Sequence, residues 1–116
     1  MAKPDYDRRR VHSDPGEYFL HERPSSMKFT ADAAMALCQE CSTRGILILG
    51  IEGGIKRSDG KFEARLDCMW QTDLDPSSAD LNATYASNSY AKDFIQSRVD
   101  VGVDNAFMVT SRPIAR

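Results

Sequence analysis

With 116 residues, 41% of them hydrophobic and 28% charged, the chain is long enough for one domain with its own core and needs neither metal nor disulfide to hold it. A formal charge of −2 is too evenly balanced for a general nucleic-acid binder, whose affinity comes from many Lys and Arg side chains displacing counterions. No apolar run approaches the about 20 residues that cross a bilayer, the first ten residues lack a hydrophobic segment, and the cysteines are too few and irregular for a disulfide framework, so a cytoplasmic protein is expected.

Residues 1–26 mix both charge signs with Pro4, Pro15, Gly16 and Pro24, which predicts turns and a partly flexible N-terminal segment. The Arg8-Arg9-Arg10 cluster is diluted by Asp5, Asp7 and Asp14 and reads as a solvated face rather than a nucleic-acid arm. Within this segment only Glu17-Tyr18-Phe19-Leu20 is apolar enough to dock, as a short edge strand. Residues 27–111 are expected to form a single domain and 112–116 a tail.

Thr30 is placed to cap a helix over Ala31–Arg44, with Asp32 near its positive end, Arg44 near its negative end and Gly45 as the stop. Ala34, Leu37, Cys38 and Cys41 fall at helical spacing and predict its buried stripe. A strand follows over Gly45–Ile51, apolar on both faces and so central. A second strand, Phe62–Trp70, alternates with period two, and its even-numbered residues are expected to face the helices. The Asp59-Gly60 pair between them suits a tight hairpin turn.

Asp75-Pro76 reads as a helix start, with one interrupted helix or two short ones up to Arg98 that take Leu81, Tyr85, Tyr90, Ala91, Phe94 and Ile95 as apolar positions. A closing strand spans 105–110. The fold class is α+β: a small, mainly antiparallel sheet of three to four strands against two helical segments, in the order helix-strand-strand-helix-strand.

The Cys38-Gln39-Glu40-Cys41 spacing would suit a thiol redox enzyme. A redox pair, however, needs its first thiol at a helix N-terminus, where the dipole stabilises thiolate, and this pair lies in the last turns of its helix. Buried structural cysteines are the expectation. Zinc would require a second short-spaced ligand pair, which Cys68, His12 and His21 do not make, so no metal and no cofactor is expected. The glycines of Gly50-Ile51-Glu52-Gly53-Gly54 lead into a hairpin instead of a helix, so they predict a bulge or close backbone approach instead of a phosphate loop. With both histidines outside the predicted scaffold, no His-dependent triad is suggested, and no enzymatic activity is expected.

Between Leu66 and Ala91 there is no Lys or Arg, while Asp67, Asp73, Asp75 and Asp80 give a local charge of −4. Trp70 stands at the head of this run. Tryptophan is favoured at interface hot spots and acidic neighbours speed encounter with a basic partner, so Trp70, these four aspartates and Glu52 form the candidate protein-binding set; the alternatives are that Trp70 ends the buried face of its strand and packs on a helix, and that Glu52 is a satisfied edge carboxylate. A general protein-protein adaptor would satisfy the same pattern.

The helix ending Arg44-Gly45, the strand Ile46–Gly50 with Glu52 two places on, the strand closing in Trp70, the later Ser89-Tyr90-Ala91-Lys92-Asp93-Phe94-Ile95 and the final Asn105-Ala106-Phe107-Met108-Val109 together resemble a family of small bacterial immunity proteins. It is the group catalogued as the fortieth of the numbered immunity families of polymorphic toxin systems, and the likeness covers about residues 29–111. The resemblance implies an antidote of contact-dependent inhibition or a related system, which binds the C-terminal effector domain of one secreted toxin and covers its active site. Such effectors are often nucleases with basic clefts, so the implied partner is a basic protein, with no direct nucleic-acid or membrane contact.

Overall fold

The computed structural model describes residues 10–20, 26–59, 61–102 and 104–114, with the backbone alone of 66 and 67. Five strands and two helices follow in the order β1 (Val11–His12), β2 (Ser26–Thr30), α1 (Ala31–Thr43), β3 (Ile46–Lys56), β4 (Phe62–Gln71), α2 (Leu81–Val101) and β5 (Ala106–Pro113). The helix-strand-strand-helix-strand order of the later elements is as expected. The expected small antiparallel sheet of three to four strands is not: among the described residues the sheet has five, ordered β1-β2-β5-β3-β4, and β1 runs parallel to β2.

The sheet also curls. Arg10, just before β1, bridges Lys61, just before β4, so the two outer strands of the sheet approach each other at one end. The Lys28 ammonium of β2 lies 5.7 Å from the centre of the Phe62 ring of β4, across the two strands between them.

Both helices cover one face of this sheet. Thr30 caps α1, its Oγ1 accepting from the Ala33 amide at 3.4 Å, and Gly45 leaves the helix at φ 69°, a left-handed angle that an L side chain resists. The predicted stripe Ala34, Leu37, Cys38 and Cys41 is buried, together with Ala33, against Met27, Phe29, Ile48, Ile51, Phe107 and Val109 of the sheet. Burial of a side chain the size of Phe29 or Phe107 contributes about 1.5–3 kcal/mol, so these two rings, paired across β2 and β5, carry much of the core. As expected, β3 lies inside the sheet, between β5 and β4.

The predicted edge strand at Glu17–Leu20 is instead a 3-10 turn over Pro15–Phe19, capped by the Asp14 carboxylate 2.9 Å from the Gly16 amide. Tyr18 is buried and its hydroxyl hydrogen-bonds Ser111, while the Arg44 guanidinium sits 3.9 Å from the centre of the Phe19 ring. His12, expected outside the scaffold, lies fully buried in β1 against Phe29, with Nδ1 3.6 Å from the Glu17 carboxylate.

The even-odd alternation expected along β4 breaks at a large bulge. Glu52 pairs with Met69 and Gly54 with Ala64, so Gly53 alone on β3 stands opposite Arg65, Leu66, Asp67 and Cys68. A side chain at Gly53 would collide with Cys68 Sγ, which explains a glycine here. The phase of β4 therefore flips. Phe62 covers Gly54 on the face away from the helices, whereas Trp70, paired with Ile51, points toward them.

A buried carboxylate holds the bulge. Asp104, between α2 and β5, receives Arg98 Nε at 2.7 Å and the Cys68 thiol at 3.3 Å on one oxygen, and faces Arg65 Nε at 3.4 Å with the other. Its side chain has no exposed surface.

The second helix also departs from expectation. Asp75-Pro76 opens only a turn, and α2 is one uninterrupted helix capped by Asp80, whose Oδ1 accepts from the Ala83 amide at 2.7 Å. Its inward face is Thr84, Ser87, Asn88, Ala91 and Ile95, while Leu81, Tyr85 and Tyr90, read from sequence as apolar positions, face solvent. The inversion has a physical cause. Asn88 accepts from the Ile48 amide at 2.9 Å and donates to Ile46 O at 2.9 Å and Ser42 Oγ at 3.1 Å, so a buried amide is satisfied by the β3 backbone and α1. A leucine there would leave those strand groups without their partners.

Candidate functional site

The connection from β4 to α2 is built from its own short polar side chains. The Thr72 amide donates to Leu49 O at 3.0 Å, its hydroxyl shares a 2.5 Å hydrogen bond with Ser87 Oγ on α2, and the same oxygen accepts from the Leu74 amide at 3.2 Å. Asp75 closes the next turn, its Oδ1 accepting from the Ser77 amide at 2.9 Å and the Ser77 hydroxyl at 2.8 Å. These two bonds hold the Asp75 carboxyl below the usual carboxylate range. Asp80 then starts the helix. Asp73, Asp75 and Asp80 all project from this connection into solvent.

Trp70 supplies its inner wall. The indole is partly buried against the core, and its remaining surface lines a groove of about 430 Å³ with Asp73, Leu74, Ala83, Ala86 and Tyr90. Of the expected set, Trp70 and Asp73 line one groove, and Asp75 and Asp80 lie along the same connection. Asp67 lies in the β4 bulge, and its side chain is outside the described residues.

Glu52 is elsewhere. It neighbours Ile51, which shares the Trp70 face, so its side chain takes the opposite face of the sheet, between Met69 and Met108. Glu52 lines a smaller groove of about 190 Å³ that shares Trp70 and Gln71 with the larger one. Tyr90, 67% exposed, is the groove residue that sequence reasoning missed. The available signal was the Ala83, Ala86, Tyr90 spacing, one helical face in which two alanines leave room beside a ring.

Set beside known proteins, no family model matches the chain. It is, however, 34% identical over 108 residues to the immunity protein CdiI of Burkholderia pseudomallei, an alignment that spans 93% of this chain and 94% of that protein. The chain belongs to the CdiI immunity-protein family. Its role is that of an immunity protein.

In this CdiI-family member the cysteine pair is part of the core. Cys38 and Cys41 are both free and buried. Burial pushes the Cys38 thiol up to about 12, and burial together with the neighbouring Cys38 raises Cys41 as well, so both are protonated near neutral pH. Cys68 is raised by burial first and by its bond to Asp104 second. Among the described residues no group of His, Cys, Asp and Glu side chains is placed to hold a metal ion, and no helix is long and apolar enough to cross a membrane. His21 lies outside the described residues.

Proposed function

We propose that this immunity protein neutralises a toxin effector domain, in the cytoplasm, by docking its β4–α2 rim onto a basic surface of that domain and covering the active site. One observation carries the reading: a partly exposed tryptophan and three outward carboxylates share one connection, in a stretch from Leu66 to Ala91 that holds no cation. The indole contributes buried contact area at low entropic cost, and the carboxylates steer encounter with positive charge. A nuclease fits best among effectors, because binding a phosphate backbone requires a cleft with clustered Lys and Arg. The protein itself performs no chemistry in this reading, and it stands apart from the thiol redox alternative because the Cys38 and Cys41 sulfurs are buried and protonated.

The test is the association rate with the cognate toxin effector domain, measured across salt. The Debye length falls from about 30 Å at 0.01 M to about 3 Å at 1 M, and association should slow at least about tenfold over that range. A rate indifferent to salt removes the acidic-rim mechanism while leaving the partner intact. Nuclease identity is checked separately, by whether stoichiometric addition of this protein stops nucleic-acid cleavage by the effector.

A further inference from the structure

We propose that the groove between the β4–α2 connection and α2 is a slot for a single arginine side chain of the toxin. The inference rests on the docking role just proposed and names the chemical group that the rim takes.

The groove has two aromatic rings, Trp70 and Tyr90, one apolar contact, Leu74, and one carboxylate, Asp73. Its room comes from Ala83 and Ala86, which put only a methyl group where a longer side chain on the same face of α2 would fill it. Its shape is fixed by the Thr72–Ser87 hydroxyl pair, which ties the connection to the helix at 2.5 Å, and by the Thr72 oxygen, which accepts from the Leu74 amide at 3.2 Å. At about 430 Å³ it falls in the range of about 300–1,000 Å³ typical of ligand sites.

This lining selects among side chains. An apolar side chain would cover the rings but make no use of the Asp73 carboxylate at the groove. A lysine would meet the carboxylate, but its compact ammonium is strongly hydrated and loses more on entering a groove with apolar walls. A guanidinium is flat, weakly hydrated and able to stack on an aromatic ring while donating two parallel hydrogen bonds to a carboxylate. No Lys or Arg of the 66–91 stretch is there to occupy the groove from within.

Trp70 is the single tryptophan of the chain, so its fluorescence reports occupancy directly. The full chain is titrated at fixed ionic strength with the N-acetyl amides of arginine, lysine and citrulline, the last being the neutral near-isostere of arginine. A saturable change with arginine, at least about threefold tighter than with lysine and absent with citrulline, is expected. Indistinguishable responses to the three overturn the slot. In parallel, Asp73→Asn and Tyr90→Leu, both at exposed positions, should each weaken binding of the toxin effector domain about tenfold, while Asp100→Asn, the same charge change near the far end of α2, should not. If the unaltered chain binds the toxin and both variants bind equally well, the slot is wrong and the immunity reading stands. A chain that takes the arginine probe but not the toxin overturns the docking role on which the slot's partner depends.

Discussion

The two connections that flank α2 use aspartate in opposite ways. At its C-terminal end Asp104 is sealed among Arg98, Arg65 and Cys68, and the next residue bonds β3 twice, Asn105 Oδ1 accepting from the Lys56 amide at 2.7 Å and the Asn105 amide donating to Gly54 O at 3.1 Å. At its N-terminal end Asp73, Asp75 and Asp80 stay in water, bonded at most to groups in their own connection and the first turn of α2. The same charge fixes the fold where it is desolvated and paired, and stays hydrated where it is not.

If the helix-covered side is as closed as its packing indicates, Cys38 should hold about a thousandfold less thiolate near neutral pH than a free cysteine, and alkylation should occur only through opening of the fold. Because the folded thiol is raised, its contribution to stability is complete below the unfolded value of 9.0 and is lost as pH climbs toward about 12, where the unfolded chain ionises and the core does not. Iodoacetamide labelling near neutral pH, with and without urea, measures this, and rapid labelling without denaturant would revive the redox reading.

Next in size, Asp104→Ala should cost about 2–3 kcal/mol in urea unfolding, since it leaves two arginines facing a cavity; the figure lies below that for a fully buried pair because Arg98 and Arg65 remain 24% and 34% exposed. Toxin binding by the surviving folded fraction should be little changed. The smallest effect divides the two uses of charge within one residue. Asp80→Ala removes the cap of α2 and should cost about 1 kcal/mol, whereas Asp80→Asn keeps the cap within a few tenths of a kcal/mol and should only slow toxin association about twofold at low salt.

The sequence was legible where local rules and packing agreed. Thr30, the buried stripe of α1 and the left-handed Gly45 are each set by residues within one helical turn, and the uniformly apolar β3 leaves little choice but an interior position. Legibility failed where partners come from far along the chain. The strand β2 has only Met27 and Phe29 as an apolar signal, and its pairing with β5 joins residues some eighty positions apart. The β4 bulge depends on a carboxylate from beyond α2, so alternation alone carried Phe62 to the wrong face. In α2 the outward Tyr85 and Tyr90 follow from Asn88 and Ser87 finding partners on β3, on α1 and in the β4–α2 connection, which composition does not reveal. Trp70 and Asp73 were found as candidates by charge and residue type, but their grouping with Tyr90, and the separation of Glu52, needed the folded sheet.

The most direct test of the account is hydrogen exchange of the protein alone and bound to its toxin effector domain. Docking at the acidic rim predicts slowed exchange of backbone amides across 72–90, with little change around Glu52 and Met108. Protection confined to the Glu52, Met69 and Met108 face, with the 72–90 amides unchanged, would contradict it.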